Sequence, residues 1–304
     1  MLDVTRLRVL AAVARHGSVT AAARALGYAQ PSVSHHLARL EAETGSRLVQ
    51  RVGRGVRLTG AGRMLAERAE EILGRLEAAE DELAAHTGLH AGRVRLAAFP
   101  SALGTFVPPA AAAFAAAHPD VELRLTEAEP PEATRLLRSG EVDIALLFDY
   151  SGPYSGPPAA EDGLRRTPLL TEPVYLVTPA GLPGDRIGDH ATRRWITGCE
   201  RCRTRLVRCC EAAGFTPDIA FTTDDYVAVQ ALVAAGLGVT TLPGLALAAR
   251  LDHAVRPVRL PDQERVVSAA VHGEPPHPPA VAALLGHLAK ATATAMSLTA
   301  LPPP

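Results

Sequence analysis

The first forty-odd residues constrain the fold more than any other stretch. Leu7, Leu10, Ala11 and Ala14 recur at helical spacing up to Gly17, which predicts a first helix ended by a glycine. Ser18 stands where a cap is needed for a short second helix running to about Leu26. Gly27-Tyr28-Ala29 then reads as a turn. A third helix follows from Gln30 to about Thr44, with Pro31 in its first turn, where a missing N–H is harmless. Ala23 is small where two helices must cross, and Gly27 allows the positive φ of a tight turn. Leu26, Val33 and Leu37 supply the apolar wedge. Such spacing predicts a helix-turn-helix, whose later helix enters the DNA major groove with its amino-terminal residues on base edges.

Charge and the next segment agree with this reading. Residues 1–60 carry nine Arg against Asp3, Glu41 and Glu43, although the whole chain has a formal charge of −1. A basic end on a neutral chain is expected where that end meets a polyanion. Arg47-Leu48-Val49-Gln50-Arg51, the turn Gly53-Arg54-Gly55 and Val56-Arg57-Leu58-Thr59 read as a hairpin wing beside the recognition helix. The groove candidates are Gln30, Ser32, Ser34, His35 and His36, all read as facing outward. Arg51, Arg54 and Arg57 are the phosphate candidates, and Gln30 can pair bidentately with adenine.

Gly17-Ser18-Val19-Thr20-Ala21-Ala22-Ala23, Gln30-Pro31-Ser32-Val33-Ser34, Leu40-Glu41 and Leu58-Thr59-Gly60-Ala61-Gly62 occur in order. This set resembles the LysR-type transcriptional regulators, and the resemblance extends over essentially the whole chain. It implies an α/β protein with a winged helix-turn-helix at 1–59, a linker and dimerisation helix at 60–88, and a two-lobed, periplasmic-binding-protein-like effector domain at 92–304. Lobe I is placed at about 92–165 and 270–304, and lobe II at about 166–269. The chain departs from the family at Ala29, where Ser is usual, and at His35, where Arg is frequent. The implied partners are double-stranded promoter DNA, a small-molecule effector, and the chain itself as homodimer or tetramer. RNA polymerase is a further possible partner, and no membrane is implied.

Thr59 is placed to cap a long helix over about 60–87 without proline. Leu65, Ala69, Ile72, Leu76, Ala79 and Leu83 alternate at steps of four and three, the heptad seam of a dimerisation helix.

Beyond Arg93 the pattern becomes α/β. Strands are expected at Val94–Phe99, Val121–Ala128, Val142–Phe148, Pro173–Thr178, Ile219–Thr222, Gly238–Leu242 and Val266–His272. Helices are expected near 103–117, 131–139, 203–214, 224–235 and 278–294. Such alternation predicts mainly parallel sheets with ligands at the carboxyl ends of the strands. The Gly- and Pro-rich stretch Ser151–Thr167 reads as a loop crossing between lobes. Ser101 opens a helix after a strand and is a candidate for a small anion site, and Thr223 is expected to cap another helix. With the family's inducer position between the lobes, the effector candidates are Ser101, Glu127, Thr222 and Thr223.

Cys199-x-x-Cys202 and Cys209-Cys210 are all four cysteines. The second C-x-x-C of a structural zinc site is missing, and neighbouring cysteines point about 100° apart on a helix. Packing is the first reading, with a redox or metal-sensing role for Cys199, Cys202, Cys209 and Cys210 as the alternative. No metal or other cofactor is implied. No nucleophile elbow, His-x-x-x-His or phosphate loop is found, so the chain does not read as an enzyme. A solute-binding protein of similar shape is disfavoured by the basic head. The amphipathic start and the Pro- and Gly-broken apolar runs lack the form of a secretory signal or membrane span, which suggests a cytoplasmic protein.

Overall fold

The computed structural model of the chain describes residues 2–52, 55–86, 92–152, 164–273 and 275–299. Two compact units are present, Met1–His90 with Arg135–Val142, and Ala91–Thr134 with Asp143–Pro304.

The first unit begins with helices α1 (Val4–His16), α2 (Val19–Leu26) and α3 (Gln30–Thr44). Asp3 and Ser18 cap the first two, each accepting a hydrogen bond at 3.0 Å from the backbone N–H three residues on. Gly17 and Gly27 end them at φ 67, a conformation that only glycine adopts without strain. Leu7, Leu10, Val13, Ala22, Ala23, Val33, Leu37 and Leu40 are buried together at the crossing of the three helices. A hairpin of β1 (Val49–Val52) and β2 (Gly55–Leu58) follows, with Val49 opposite Leu58. Its position is fixed by Glu41 of α3, which accepts from the N–H groups of Leu48 and Val49 at 2.8 and 3.1 Å. Thr59 starts α4 (Gly60–His86): its hydroxyl donates to the Arg47 carbonyl and accepts from the Gly62 N–H. A Cβ at Gly62 would stand 1.9 Å from the Leu48 carbonyl oxygen, so hairpin and helix meet backbone to backbone.

The heptad seam is divided rather than continuous. Ala69 is fully buried and Leu65 packs on the core of the first unit, so these two face their own head. Ile72, Leu76, Ala79 and Leu83 are exposed and carry the apolar stripe onward.

The second unit is built on β3 (Arg93–Ala98), α5 (Pro100–Leu103), α6 (Val107–Ala117), β4 (Glu122–Glu127), the start of α7 (Pro130–Arg138, which from Arg135 belongs to the first unit) and β5 (Ile144–Ser151). Then come β6 (Leu164–Pro179), a 3₁₀ turn (Ile187–His190), β7 (Arg194–Thr197), α8 (Glu200–Ala212), β8 (Asp218–Thr222) and α9 (Tyr226–Ala234). It ends with β9 (Thr240–Pro243), α10 (Gly244–Ala249), β10 (Val255–His272) and α11 (Pro279–Thr299). The expectation of mainly parallel sheets is corrected. In the six-stranded order β4-β3-β5-β10-β6-β9, only the βαβ-linked strands β4, β3 and β5 are parallel, and β10 runs antiparallel to β5 and β6. The small sheet of β7 and β8 is parallel.

The cause is the length of β6 and β10. They pair along almost their whole extent, from Leu164 with His272 to Pro179 with Val255, broken between Arg259 and Glu264. Residues 153–163 of the expected crossing loop lie outside the described residues, Ser151 ends β5, and 164–167 already belong to β6. Likewise β10 begins at Val255 rather than Val266. The strand β7 and the short helix α10 lie in segments without an alternating or helical signal long enough to reveal them. The helix expected near 103–117 is two, α5 and α6. Three apolar clusters stand out among the described residues of the unit. One joins Phe99, Phe106, Phe114, Phe148 and Leu284, and the others surround Trp195 with Leu206, and Val229 with Val233. Among the described residues no helix is long and apolar enough to cross a membrane.

Candidate nucleic-acid interface and cleft

In the first unit the burial of Val33, Leu37 and Leu40 turns the rest of α3 outward. Gln30, Ser32, Ser34 and His35 are exposed, whereas His36 is half-buried with its ring stacked on Tyr28 at 6.0 Å. At 100° per residue Gln30 and Ser34 share one flank, consistent with their 3.4 Å hydrogen bond, while Ser32 and His36 occupy the other. His35 projects between them, and the exposed Arg39 lies one turn further along the same face. Arg39 was not singled out from the sequence, although its i+4 spacing from His35 could have shown it. Ala29 precedes α3 without a side-chain cap, as its composition requires. On the wing Arg57 is exposed and pairs in register with Gln50, the backbone of Arg51 lies in β1, and Arg54 falls outside the described residues.

In the second unit the carboxyl ends of β3 and β4 and those of β7 and β8 converge. Ala98 is paired with Glu127, and Thr197 with Thr222. Two residues beyond these strand ends, Glu129, Cys199 and Asp224 bring side-chain atoms within 4.8 Å of one another. Glu127 and Thr222 are exposed at this convergence and Thr223 is half-buried. Thr223 is not the cap of α9. That role belongs to Asp225, whose carboxylate accepts from the Val227 and Ala228 N–H groups, while Thr223 Oγ1 accepts from the Asp225 N–H.

Ser101 is not an open anion site, because α5 is a single turn and Ser101 is buried. Its Oγ accepts from Arg265 Nη2 at 2.7 Å. Arg265 and Glu172 are fully buried, Nε to Oε1 being 2.7 Å, and the guanidinium packs over the rings of Phe148 and Phe99 at 4.5 and 4.9 Å. Glu172 Oε2 accepts from the Leu245 N–H. Burial pushes the Glu172 carboxyl up, against the pull of Arg265 and the Leu245 amide. Burial also disfavours the Arg265 charge, but Glu172 outweighs it and holds the guanidinium protonated. Nη1 of Arg265 is buried and has no hydrogen-bond partner among the described residues. Arg265 and Glu172 were not singled out from the sequence; each is one of several charges in its strand, and nothing local names its partner 93 residues away.

The cysteines separate into two kinds. Cys209 and Cys210 are buried in the Trp195 cluster, where burial raises both thiols, Cys210 to about 12. Cys199 and Cys202 are half-buried, their sulfurs 2.8 Å apart, and Tyr150 donates to Cys202 Sγ at 3.4 Å.

A helix-turn-helix head with a wing, followed by a binding domain whose strand ends meet around buried charges, defines a DNA-binding transcriptional regulator with an effector-binding domain. Two family patterns match: "Bacterial regulatory helix-turn-helix protein, lysR family" over residues 4–63 and "LysR substrate binding domain" over 87–293. The chain belongs to the LysR family of transcriptional regulators. It is 32% identical over 272 residues to the uncharacterised HTH-type transcriptional regulator YcgK of Bacillus subtilis (strain 168), covering 80% of this chain and 81% of that one. A Mycobacterium avium protein named "Probable hydrogen peroxide-inducible genes activator" is 32% identical over 79% of this chain and 77% of its own length. The fold resembles that of CbnR, a LysR family transcriptional regulator, at TM-score 0.63 and 23% identity, over 96% of this chain and 99% of that one.

Proposed function

We propose that the protein binds operator DNA as a homodimer, with α3 in the major groove and the hairpin on the backbone. A small molecule held between the lobes of the second unit switches it. The observation that carries this reading is the first unit's core, which buries Val33, Leu37 and Leu40 and leaves Gln30, Ser32, Ser34 and His35 exposed on one helix. CbnR, of the same fold, has been solved in complex with its target DNA, which supports the DNA partner. Gln30, Ser32, Ser34, His35 and His36 are assigned to the groove, and Arg51, Arg54 and Arg57 to phosphates. The stripe Ile72, Leu76, Ala79 and Leu83 is assigned to the second copy. In the cleft, Glu127, Thr222 and Thr223 are assigned to the effector directly and Ser101 through the Arg265 that it holds, and the unpartnered Arg265 Nη1 suits an effector carrying an anionic or carbonyl oxygen.

The test is binding of the full-length protein to its own upstream DNA and to a scrambled duplex at two salt concentrations. Arg57→Ala should weaken both duplexes alike and reduce the logarithmic salt slope by about 1. Gln30→Ala should relax preference at one base pair, by about 1–3 kcal/mol. An unchanged preferred sequence after Gln30→Ala would refute the placement of α3.

A further inference from the structure

Glu129, Cys199, Cys202 and Asp224 lie together at the meeting of the strand ends, and neither the DNA interface nor the Arg265 site uses them. Glu129 comes from the loop between β4 and α7, and Asp224 from the loop between β8 and α9. Cys199 and Cys202 open α8. One oxygen of Glu129, Cys199 Sγ and one oxygen of Asp224 all fall within 4.8 Å of one another, and Cys202 Sγ adjoins Cys199 at 2.8 Å. Glu129 Oε2 is shielded from solvent and has no hydrogen-bond partner among the described residues. Gly198 leaves room for this gathering, since a Cβ there would stand 3.0 Å from Asp224 Oδ1 and 3.9 Å from Cys202 Cβ.

We propose that these four side chains form a site for a thiophilic divalent cation of the zinc type, with two sulfur and two carboxylate donors, that ties Glu129 of one lobe to α8 and the Asp224 loop of the other. Soft thiolates select such ions over magnesium or calcium, and four donors suit tetrahedral coordination. Bond lengths of about 2.3 Å to sulfur would set the two sulfurs about 3.8 Å apart. Cys202 must therefore turn from Tyr150 towards the Glu129–Asp224 side.

The electrostatics favour a cation here. Burial pushes the Glu129 carboxyl up, a hydrogen bond from Cys199 and the nearby charge of Arg265 oppose this, and the charges of Asp224 and Glu127 push it further up. The hydrogen bond between the two thiols acts in opposite senses, raising Cys199 and lowering Cys202. On binding, the remaining thiol protons of Cys199 and Cys202 pass to solvent as two metal–sulfur bonds form, with no change in oxidation state. The cation relieves the repulsion among carboxylates and sulfurs.

The role of the ion as a regulator rests on the function proposed above, whereas its binding does not, so the two are measured separately. The reduced, metal-stripped full-length protein is titrated with Co²⁺, followed by competition with Zn²⁺. One equivalent per chain should bind, with a sulfur-to-cobalt charge-transfer band in the near ultraviolet and the visible bands of a tetrahedral ion. Cys199→Ser should abolish the charge-transfer band or cut it by half. Glu129→Gln and Asp224→Asn should weaken binding by more than the roughly 10–100-fold loss typical of an outer-shell partner. Gly198→Ala, which removes no ligand, should weaken binding by displacing Asp224, and circular dichroism shows that each variant is folded.

Co²⁺ spectra without sulfur charge transfer, or affinity unmoved by Cys199→Ser, would overturn the site. So would a reduced protein that ignores Co²⁺ while peroxide links Cys199 to Cys202, which would make the pair a redox couple instead. In a second arm, Zn²⁺ should change operator affinity in the wild type but not in Glu129→Gln. Metal binding without that change would overturn the regulatory role alone.

Discussion

Arg265 and Glu172 have no solvent to fall back on, and each is tolerable only because the other is 2.7 Å away. Arg265→Met would leave a fully buried carboxylate with one backbone donor, the Leu245 N–H, at a cost of about 3–5 kcal/mol when it is charged. Burial already holds the folded-state pKa of Glu172 above the ordinary 4.5 with Arg265 present, and without Arg265, with only the Leu245 amide opposing burial, it rises further. A group raised on folding stabilises fully below its unfolded pKa and loses that contribution as pH rises through the folded value. Arg265 in the wild type favours the ionised carboxyl, so the deficit of Arg265→Met should grow from mildly acidic to mildly alkaline pH. Urea midpoints of both proteins across that range measure it; a deficit independent of pH would mean that Glu172 is not the group left exposed to burial. Nothing in the sequence announced this pair. Ser101, in contrast, was legible as a strand-end residue, and only its partner was not.

At the scale of elements, α4 presents two different faces along one stripe. Its first part, through Ala69, is consumed by the head it leaves, and Ile72, Leu76 and Leu83 remain exposed at 43%, 40% and 66%. Leu76→Glu should raise the dissociation constant of the homodimer by roughly 10–100-fold, the equivalent of a lost leucine burial. Sedimentation velocity over a dilution series checks this, and wild-type behaviour would move the self-association surface elsewhere. The heptad spacing of this stripe was readable in the sequence, but which residues the head covers was not, because α1 contributes that cover from sixty residues away. The helices of the head were legible to the residue, since Gly17, Ser18, Gly27 and Pro31 act within one turn of themselves. Short strands were legible whether buried, as β3 and β5 are, or mostly exposed, as β4 and β8 are. Strand assignment failed at Leu164–Glu172 and at Val255–Arg265, where Arg, Thr and Pro interrupt the run and long-range pairing alone makes the strand.

At the scale of the molecule, local signals stated the order of the parts and non-local pairing decided how the second unit closes. The parallel arrangement expected from alternating strands and helices holds only for β4, β3 and β5, where a helix makes each connection. The rest depends on β6 and β10, which lend side chains to each of the three clusters described above. Leu170, Val267 and Ala269 serve the phenylalanine cluster, Val174, Leu176 and Leu260 the Trp195 cluster, and Tyr175, Val177 and Val255 the third. Neither lobe therefore has a seam along which it could melt while the other stands. Denaturation of the second unit should be a single all-or-none step: the fluorescence of Trp195, the one tryptophan, and amide exchange in β3 and β5 should report the same midpoint in denaturant. Two separated midpoints would contradict it. A lesion in either lobe would then be felt as lost abundance of the whole sensor rather than as a sensor with one deaf half.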